Sequence, residues 1–344
     1  MKKIQSGVLY WYKKFGRKNL PWKKTKNPYK IWISEIMLQQ TRVKTVIPYF
    51  KRFISFFPNI KKLSQSSIDE VFFLWSGLGY YKRAKNIHAS SKIIQKKYLG
   101  VFPKKFSELI ELPGIGKSTA HAILSFAFQK HYPILDANVK KVLYRFYDCT
   151  KFTNKKKMED FFWHKAQMNL PKYESHHFNQ AMMDIGSELC IKKPKCFYCP
   201  LNQSCSSNKK KIFSTILNRK KKIKKKRIYL LILKKNQKVW LQRNSENEIY
   251  AGLFNFPEIK GTKEIEKYFV ILDSFSKRIS NKKIKFSLIV LKKNKKYKKF
   301  INDKKGIWYD IYENELIGIS SIVSKIISNI KKNKYEEKNF LCIF

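Results

Sequence analysis

Four cysteines occupy one short stretch of this chain in the spacing Cys190-x5-Cys196-x2-Cys199-x5-Cys205, while Cys149 and Cys342 lie far from it. This clustering is the strongest constraint on the fold. A secreted disulfide framework spreads its cysteines through the chain, whereas thiolates gathered in one loop are the soft ligands of an iron–sulfur cluster or a tetrahedral zinc ion. Pro194 and Pro200 suit the sharp turns needed to aim four sulfurs at one point. Spacing alone leaves cluster and zinc both open. The loop also carries Lys192, Lys193 and Lys195, which the bound group would hold ready for phosphates.

The chain has 344 residues, which suggests two domains at about 150 residues each. Residues 1–205 read as mostly helical. Pro28 marks a helix start, and Ile36, Gln40, Val43 and Ile47 recur at helical spacing. Further helices are expected near 67–76, 82–98, 117–129, 138–146, 158–168 and 176–189. Residues 206–227 are dominated by lysine and read as a solvated basic linker, with a DNA-contacting strap as the alternative. Residues 228–330 then turn to strand patterns at 228–233, 239–241 and 286–291 and close with a helix at 320–330. A tail follows at 331–344.

Lys+Arg number 74 against 24 Asp+Glu, a formal charge of +50. That excess suits a phosphate backbone as partner, and a biased genome composition accounts for it equally well. No signal peptide is expected, because Lys13 and Lys14 break the first apolar stretch, and no apolar run approaches the ~20 residues that cross a bilayer. The expected location is cytoplasmic, on the nucleoid, with the protein a monomer.

Leu112-Pro113-Gly114-Ile115-Gly116-Lys117-Ser118 lies between two helical stretches. Gly114 and Gly116 permit a tight backbone with exposed amide groups, and the next helix adds its positive end, so the hairpin is a seat for a phosphate that reads no base. An ordinary interhelical turn is the competing reading.

With Leu20-Pro21-Trp22, Ser34-Glu35-Ile36-Met37-Leu38-Gln39-Gln40-Thr41, Gly77-Leu78-Gly79-Tyr80-Tyr81, Ile134-Leu135-Asp136-Ala137-Asn138-Val139 and Phe178-Asn179-Gln180-Ala181-Met182-Met183-Asp184, these features resemble the helix-hairpin-helix iron–sulfur DNA glycosylases. The finer resemblance is to the branch that removes adenine mispaired with guanine or 8-oxoguanine. Gly252-Leu253-Phe254-Asn255-Phe256-Pro257 and Trp308-Tyr309 resemble that branch's Nudix-like C-terminal domain. The resemblance implies a helix-hairpin-helix glycosylase domain with a [4Fe-4S] loop, followed by an α+β Nudix-like lesion-recognition domain. It implies double-stranded DNA with A:G or A:8-oxoguanine mispairs as substrate, and no membrane.

The resemblance assigns roles residue by residue. Glu35 becomes the acid that protonates adenine and then guides water, although the residue alone reads as a solvated helix glutamate. Asp136, with Asn138 in support, becomes the carboxylate that stabilises the sugar cation, and it also fits a helix N-cap. Ala137 stands where these enzymes usually have glycine. Trp22 and Gln180 are expected to line the adenine pocket, the Gln amide both donating and accepting. Gln40 and Tyr80 are expected to fill and wedge the base stack, and Thr41 to touch the opposite base. Ser118 occupies the position where strand-nicking relatives carry a Schiff-base lysine, which implies a monofunctional enzyme. The first cysteine gap is one residue shorter than usual. Ile279-Ser280-Asn281 replaces the Phe-Ser-His loop that senses 8-oxoguanine, and no Nudix box is present. The alternatives are an endonuclease III-like glycosylase/lyase acting on oxidised pyrimidines and a mismatch-binding protein with weakened catalysis.

Overall fold

The computed structural model describes residues 2–213, 223–260, 265, 267–279, 281–292, 300–301, 306–313 and 315–332. In chain order the helices are α1 (Lys2–Phe15), α2 (Pro28–Leu38), α3 (Val43–Phe56), α4 (Ile60–Gln65), α5 (Ile68–Trp75), α6 (Lys82–Lys97), α7 (Phe106–Ile110), α8 (Lys117–Phe128), α9 (Ala137–Phe146), α10 (Lys155–Asn169), α11 (Ser175–Asp184), α12 (Ser206–Lys210) and α13 (Ser321–Lys331). The strands are β1 (Lys224–Leu231), β2 (Lys234–Lys235), β3 (Lys238–Arg243), β4 (Phe254–Asn255), β5 (Glu258–Ile259), β6 (Phe269–Ile279), β7 (Lys282–Leu291) and β8 (Gly306–Asp310). The described residues form two compact units, one within Met1–Gln65 and Asn86–Asn218, the other within Ser66–Lys85 and Arg219–Phe344.

The first unit is helical. α2 starts because the Asn27 side chain accepts from the Tyr29 and Lys30 amides and Pro28 occupies the first turn, where its missing N–H costs nothing. Its residues Trp32 and Ile33 have no exposed surface, and α2 packs on α8. α11 packs on both α1 and α9. Val8, Leu143, Phe162, Phe178 and Ile185 are among the side chains that form the core between these helices. The single helix expected through Ile36, Gln40, Val43 and Ile47 is interrupted: α2 ends at Leu38 and α3 begins at Val43. Gln40, in the turn, adopts a left-handed φ of 57°, a conformation that no α-helix continues through.

The second unit contains a mixed sheet of order β5-β1-β7-β6, in which β1 and β7 run parallel and the other pairs antiparallel. A second sheet joins β2, β3 and β4, with β8 also on β3. α13 adds Ile322, Val323 and Ile326 to the core that β1 and β7 fill with Leu230 and Leu288. Ser66–Lys85 groups with this unit, although it precedes residue 205. The Arg243 guanidinium meets the Asp69 carboxylate at 2.6 and 3.0 Å, and added Cβ atoms at Gly252 and Gly318 would press on the Phe72 side chain.

The stretch expected to be a linker at 206–227 is structured at both described ends. Residues 206–210 form α12, and Lys224 to Arg227 form the exposed half of β1, paired with Lys282 to Lys285 of β7. Backbone pairing continued past the buried half of the strand, which apolar patterning does not report. β6 gives no clean apolar alternation, because Asp273 and Lys277 stand on the same half-buried face as Phe275 and Ile279, while Ser274, Ser276 and Arg278 are exposed. No described helix is long and apolar enough to cross a membrane.

Candidate active site

Glu35 lies on α2, and part of its side chain reaches the surface of a cavity of about 170 Å3. Trp22, Lys23, Ser34, His176 and Gln180 line the same cavity. Thus Glu35, Trp22 and Gln180, taken from three separate segments, share one pocket. Trp22 is buried in the short helical turn Pro21–Lys24 and packs edge-on against Phe50.

Burial pushes the Glu35 carboxyl up from 4.5 to about 8; the charge of Asp136 adds to the rise and the ammonium of Lys23 opposes it. Glu35 is therefore a proton carrier at neutral pH. Asp136 is the N-cap of α9, accepting from the Val139 amide at 2.8 Å and from Asn138 Nδ2 at 2.8 Å. Burial raises the affinity of Asp136 for a proton, and these hydrogen bonds lower it. The capping function and the proximity to Glu35 coexist. Gly186 lets the turn after α11 approach α9, since an added Cβ would stand 2.6 Å from the Asn138 carbonyl. Ala137 is accommodated as the first residue of α9.

Several residues that the sequence did not single out build this site. Asn179 is buried, accepts from the Ile134 amide at 3.1 Å, and donates to Ser125 Oγ and the Tyr132 carbonyl at 3.0 and 2.8 Å. It thereby fixes the segment that leads to Asp136. Asp184, fully buried at the end of α11, binds Arg17, Lys23 and Gln180. Lys23 is pulled down to about 8 by burial, against the attraction of Asp184. Lys23 directly follows the Leu-Pro-Trp motif, and Asp184 closes the Phe178–Asp184 motif, so position beside a motif was the available signal.

At the hairpin, Gly114 has φ 83° and an added Cβ would meet the Asn86 side chain at 2.8 Å, so glycine is required there. Gly116 caps α8 in extended geometry, and an added Cβ would meet nothing, so its role is open access rather than a special turn. Ser118 is half-buried in the first turn of α8. The neighbouring Lys117 ammonium sits 4.2 Å from the centre of the Trp163 ring. Gln40 is exposed and Thr41 half-exposed in the turn after α2, with Thr41 Oγ1 donating to the Gln39 carbonyl at 3.4 Å. Tyr80 belongs to the second unit, exposed at φ 50°, with the Arg83 guanidinium 5.4 Å from its ring.

Cys190, Cys196, Cys199 and Cys205 line a common cavity with Val142, Arg145 and other residues. Among the described residues no three Cys, His, Asp or Glu side chains are drawn closely enough together to hold a single ion. The Arg145 guanidinium is buried and donates to Cys190 Sγ at 3.4 Å, while Cys205 Sγ lies 3.7 Å from the Arg145 carbonyl. Burial pushes the Cys199 thiol up to about 12 and raises Cys196 and Cys205 as well. Four thiols lining one cavity are by their chemistry a donor set that fits a metal centre, whose positive charge would replace their protons. A π-helical turn over Ile185–Leu189 leads directly into Cys190. Of the sensing loop, Ile279 ends β6 and packs against the core of its unit, Asn281 accepts from the Lys224 amide at 3.0 Å, and Ser280 lies outside the described residues.

The adenine DNA glycosylase of Buchnera aphidicola subsp. Acyrthosiphon pisum is 45% identical over 339 residues, an alignment that covers 95% of this chain and 97% of that protein. The chain belongs to the adenine DNA glycosylases. Among these glycosylases, the Homo sapiens protein is 32% identical over 217 residues, covering 60% of this chain and 40% of its own length. Residues 33–168 match the family described as HhH-GPD superfamily base excision DNA repair protein. A thermostable thymine-DNA glycosylase superimposes on 61% of this chain and 98% of its own with a TM-score of 0.56 at 26% identity. Endonuclease III in a non-covalent DNA complex gives 0.53 over 62% of this chain and 98% of its own at 24% identity, which speaks for the fold. The helical N-terminal part thus has the helix-hairpin-helix glycosylase fold, and in this chain mixed sheets follow it.

Proposed function

We propose that the chain hydrolyses the N-glycosidic bond of adenine mispaired with guanine or 8-oxoguanine in duplex DNA, leaving the strand uncut. The observation that carries this reading is Glu35, its affinity for a proton raised by burial and by the charge of Asp136, in a pocket that Trp22 and Gln180 also line. A base inside a duplex is out of reach, so the adenine is flipped into the pocket. Glu35 gives its proton to the purine ring, the bond between base and sugar breaks, and the electron pair leaves with adenine. Asp136, held by Val139 and Asn138, faces the cationic sugar, and water then adds to it. Two carboxyl groups with opposed environments divide acid and ion-stabilising work, as in glycoside hydrolysis.

Gly114 and the N-terminus of α8 seat a phosphate, Gln40, Thr41 and Tyr80 meet the stack and the opposite base, and the basic surface binds the duplex. Ser118 offers no amine, and the Lys117 ammonium lies over the Trp163 ring, which supports the monofunctional reading over the lyase alternative. The four cysteines, with Arg145 beside them, would hold a [4Fe-4S] cluster, which supplies a rigid clamp for the loop that bears Lys192, Lys193 and Lys195. The mixed sheet and α13 support a Nudix-like reading of the C-terminal part, acting in lesion recognition.

Single-turnover release of adenine from A:G, A:C and A:8-oxoguanine duplexes tests the proposal. Release from A:G is expected, with weak preference for A:8-oxoguanine because Ile279 lacks the aromatic face whose stacking is worth about 1–3 kcal/mol. Release of oxidised pyrimidines instead would overturn the reading.

A further inference from the structure

Asp184 has no exposed surface and yet gathers five hydrogen bonds. It accepts from the Arg17 backbone amide at 3.0 Å, Arg17 Nε at 3.0 Å and Arg17 Nη2 at 2.6 Å. It also accepts from Lys23 Nζ at 3.2 Å and Gln180 Nε2 at 3.2 Å. Lys23 and Gln180 are walls of the pocket that contains Glu35, whereas Arg17 ties the carboxylate to the segment after α1. Asp184 thus stands behind the pocket and grips two of its walls.

A carboxylate paired with a guanidinium and an ammonium accepts hydrogen bonds and offers none. The two ends of a Gln amide are not interchangeable against such a partner, so chemistry dictates that Nε2 faces Asp184. Gln180 and Asp184 are four residues apart on α11, where side chains share a face, so the contact is built into the helix. The donor end of Gln180 is therefore committed. Among the described residues its Oε1 accepts no hydrogen bond, which leaves an acceptor for a ligand. The sequence alone had allowed the amide both to donate and to accept.

We propose that Asp184 is a positioning residue that makes the pocket selective for a 6-aminopurine. By holding Nε2 of Gln180, it presents Oε1 to an exocyclic amino group and sets the same oxygen against the 6-carbonyl of guanine or hypoxanthine. Adenine carries a donor at this position and guanine an acceptor, so a single oriented amide tells them apart. This rests on the reading of the pocket as the site of the flipped base. A merely structural Asp184, anchoring Arg17 and Lys23, would affect every base alike when altered.

The test is the ratio of single-turnover release rates for adenine and hypoxanthine opposite guanine, measured with the full chain. A good polar contact to a base edge is worth about 1–3 kcal/mol of discrimination, so the wild-type ratio should exceed that of Gln180→Leu by about tenfold or more. Asp184→Asn lets the amide of Gln180 turn over and should lower the ratio by a similar factor, whereas Asp184→Glu, still an acceptor, should retain it. Should Asp184→Asn fail to fold, Gln180→Lys keeps Asp184 intact and satisfied but places only a donor at the pocket. It should shift the ratio towards hypoxanthine. Equal loss of both rates in the folded variants, with the ratio unchanged, would overturn the inference and leave the proposed function of the wild type standing. No adenine release by the wild type from any mispair would instead overturn the proposed function.

Discussion

Asp136 acts on Glu35 through its charge: after burial, the negative charge of Asp136 is the second cause that lifts the Glu35 carboxyl to about 8, against the pull of Lys23. The hydrogen bonds that Asp136 accepts from Val139 and Asn138 favour its anion, so Glu35 is the carboxyl that holds the proton. Excision that uses this proton should lose rate as pH rises through about 8. Lys23→Met removes the opposing charge, so the alkaline limb of the rate profile should move to higher pH. Asp136→Asn should move the Glu35 titration lower, read by carboxyl NMR because turnover is lost. Stability should carry the same signature. The raised affinity of Glu35 stabilises the fold below its ordinary value of 4.5 relative to higher pH, and this is lost as pH climbs to about 8. The stability of Glu35→Gln relative to wild type should therefore grow across that window and level off above it.

Gly186→Ala is expected to reduce excision although the residue touches no substrate. The new Cβ would stand 2.6 Å from the Asn138 carbonyl, and Asn138 holds Asp136. Overpacking of this kind costs about 1–3 kcal/mol. Thermal denaturation should show that loss, and single-turnover rate should fall by more than mismatch binding does. An unchanged rate in a destabilised protein would separate packing from catalysis.

Borohydride should trap no covalent adduct between the wild-type protein and mispaired DNA, and strand breakage should need added alkali. The hydroxyl of Ser118 forms no Schiff base, and Lys117 is held on the Trp163 ring. An efficient trap would assign a lyase step to this chain.

Purified protein should be brown, with iron and acid-labile sulfide near four each per chain, about the content of one cubane cluster. Arg145→Met should lower both, because the buried guanidinium donates to Cys190 Sγ and to the Ile191 carbonyl. Cys199→Ala should cost DNA affinity more than helical content, since Cys199 only flanks the core that Val8, Phe162 and Phe178 fill. Stoichiometric zinc without sulfide would contradict the cluster.

What could be read from the sequence was local. The Asn27-Pro28 start of α2 and the spacing of the four cysteines are short-range patterns; α2 starts there, and the four cysteines line one cavity. The motif containing Glu35 was legible only through its resemblance, since an isolated helix glutamate carries no sign of its surroundings. What escaped was long-range. Arg17 and Asp184, or Arg145 and Cys190, are distant in the chain, and charge patterning reads arginine and aspartate as surface. The grouping of Ser66–Lys85 with the C-terminal unit depends on Asp69 finding Arg243, which no periodicity announces. The end of α2 at Leu38 was missed because Gln40 keeps helical spacing while its backbone turns left-handed.

The most direct test of the account is adenine release by Glu35→Gln from an A:G duplex under single-turnover conditions, with mismatch binding measured on the same preparation. The amide keeps the size of the side chain and has no acidic proton to give. General acid catalysis is worth about 10²- to 10⁴-fold, so release should fall by at least that range while the dissociation constant stays within a few-fold of wild type. Release near the wild-type rate would contradict the assignment of Glu35 and with it the mechanism proposed for this site.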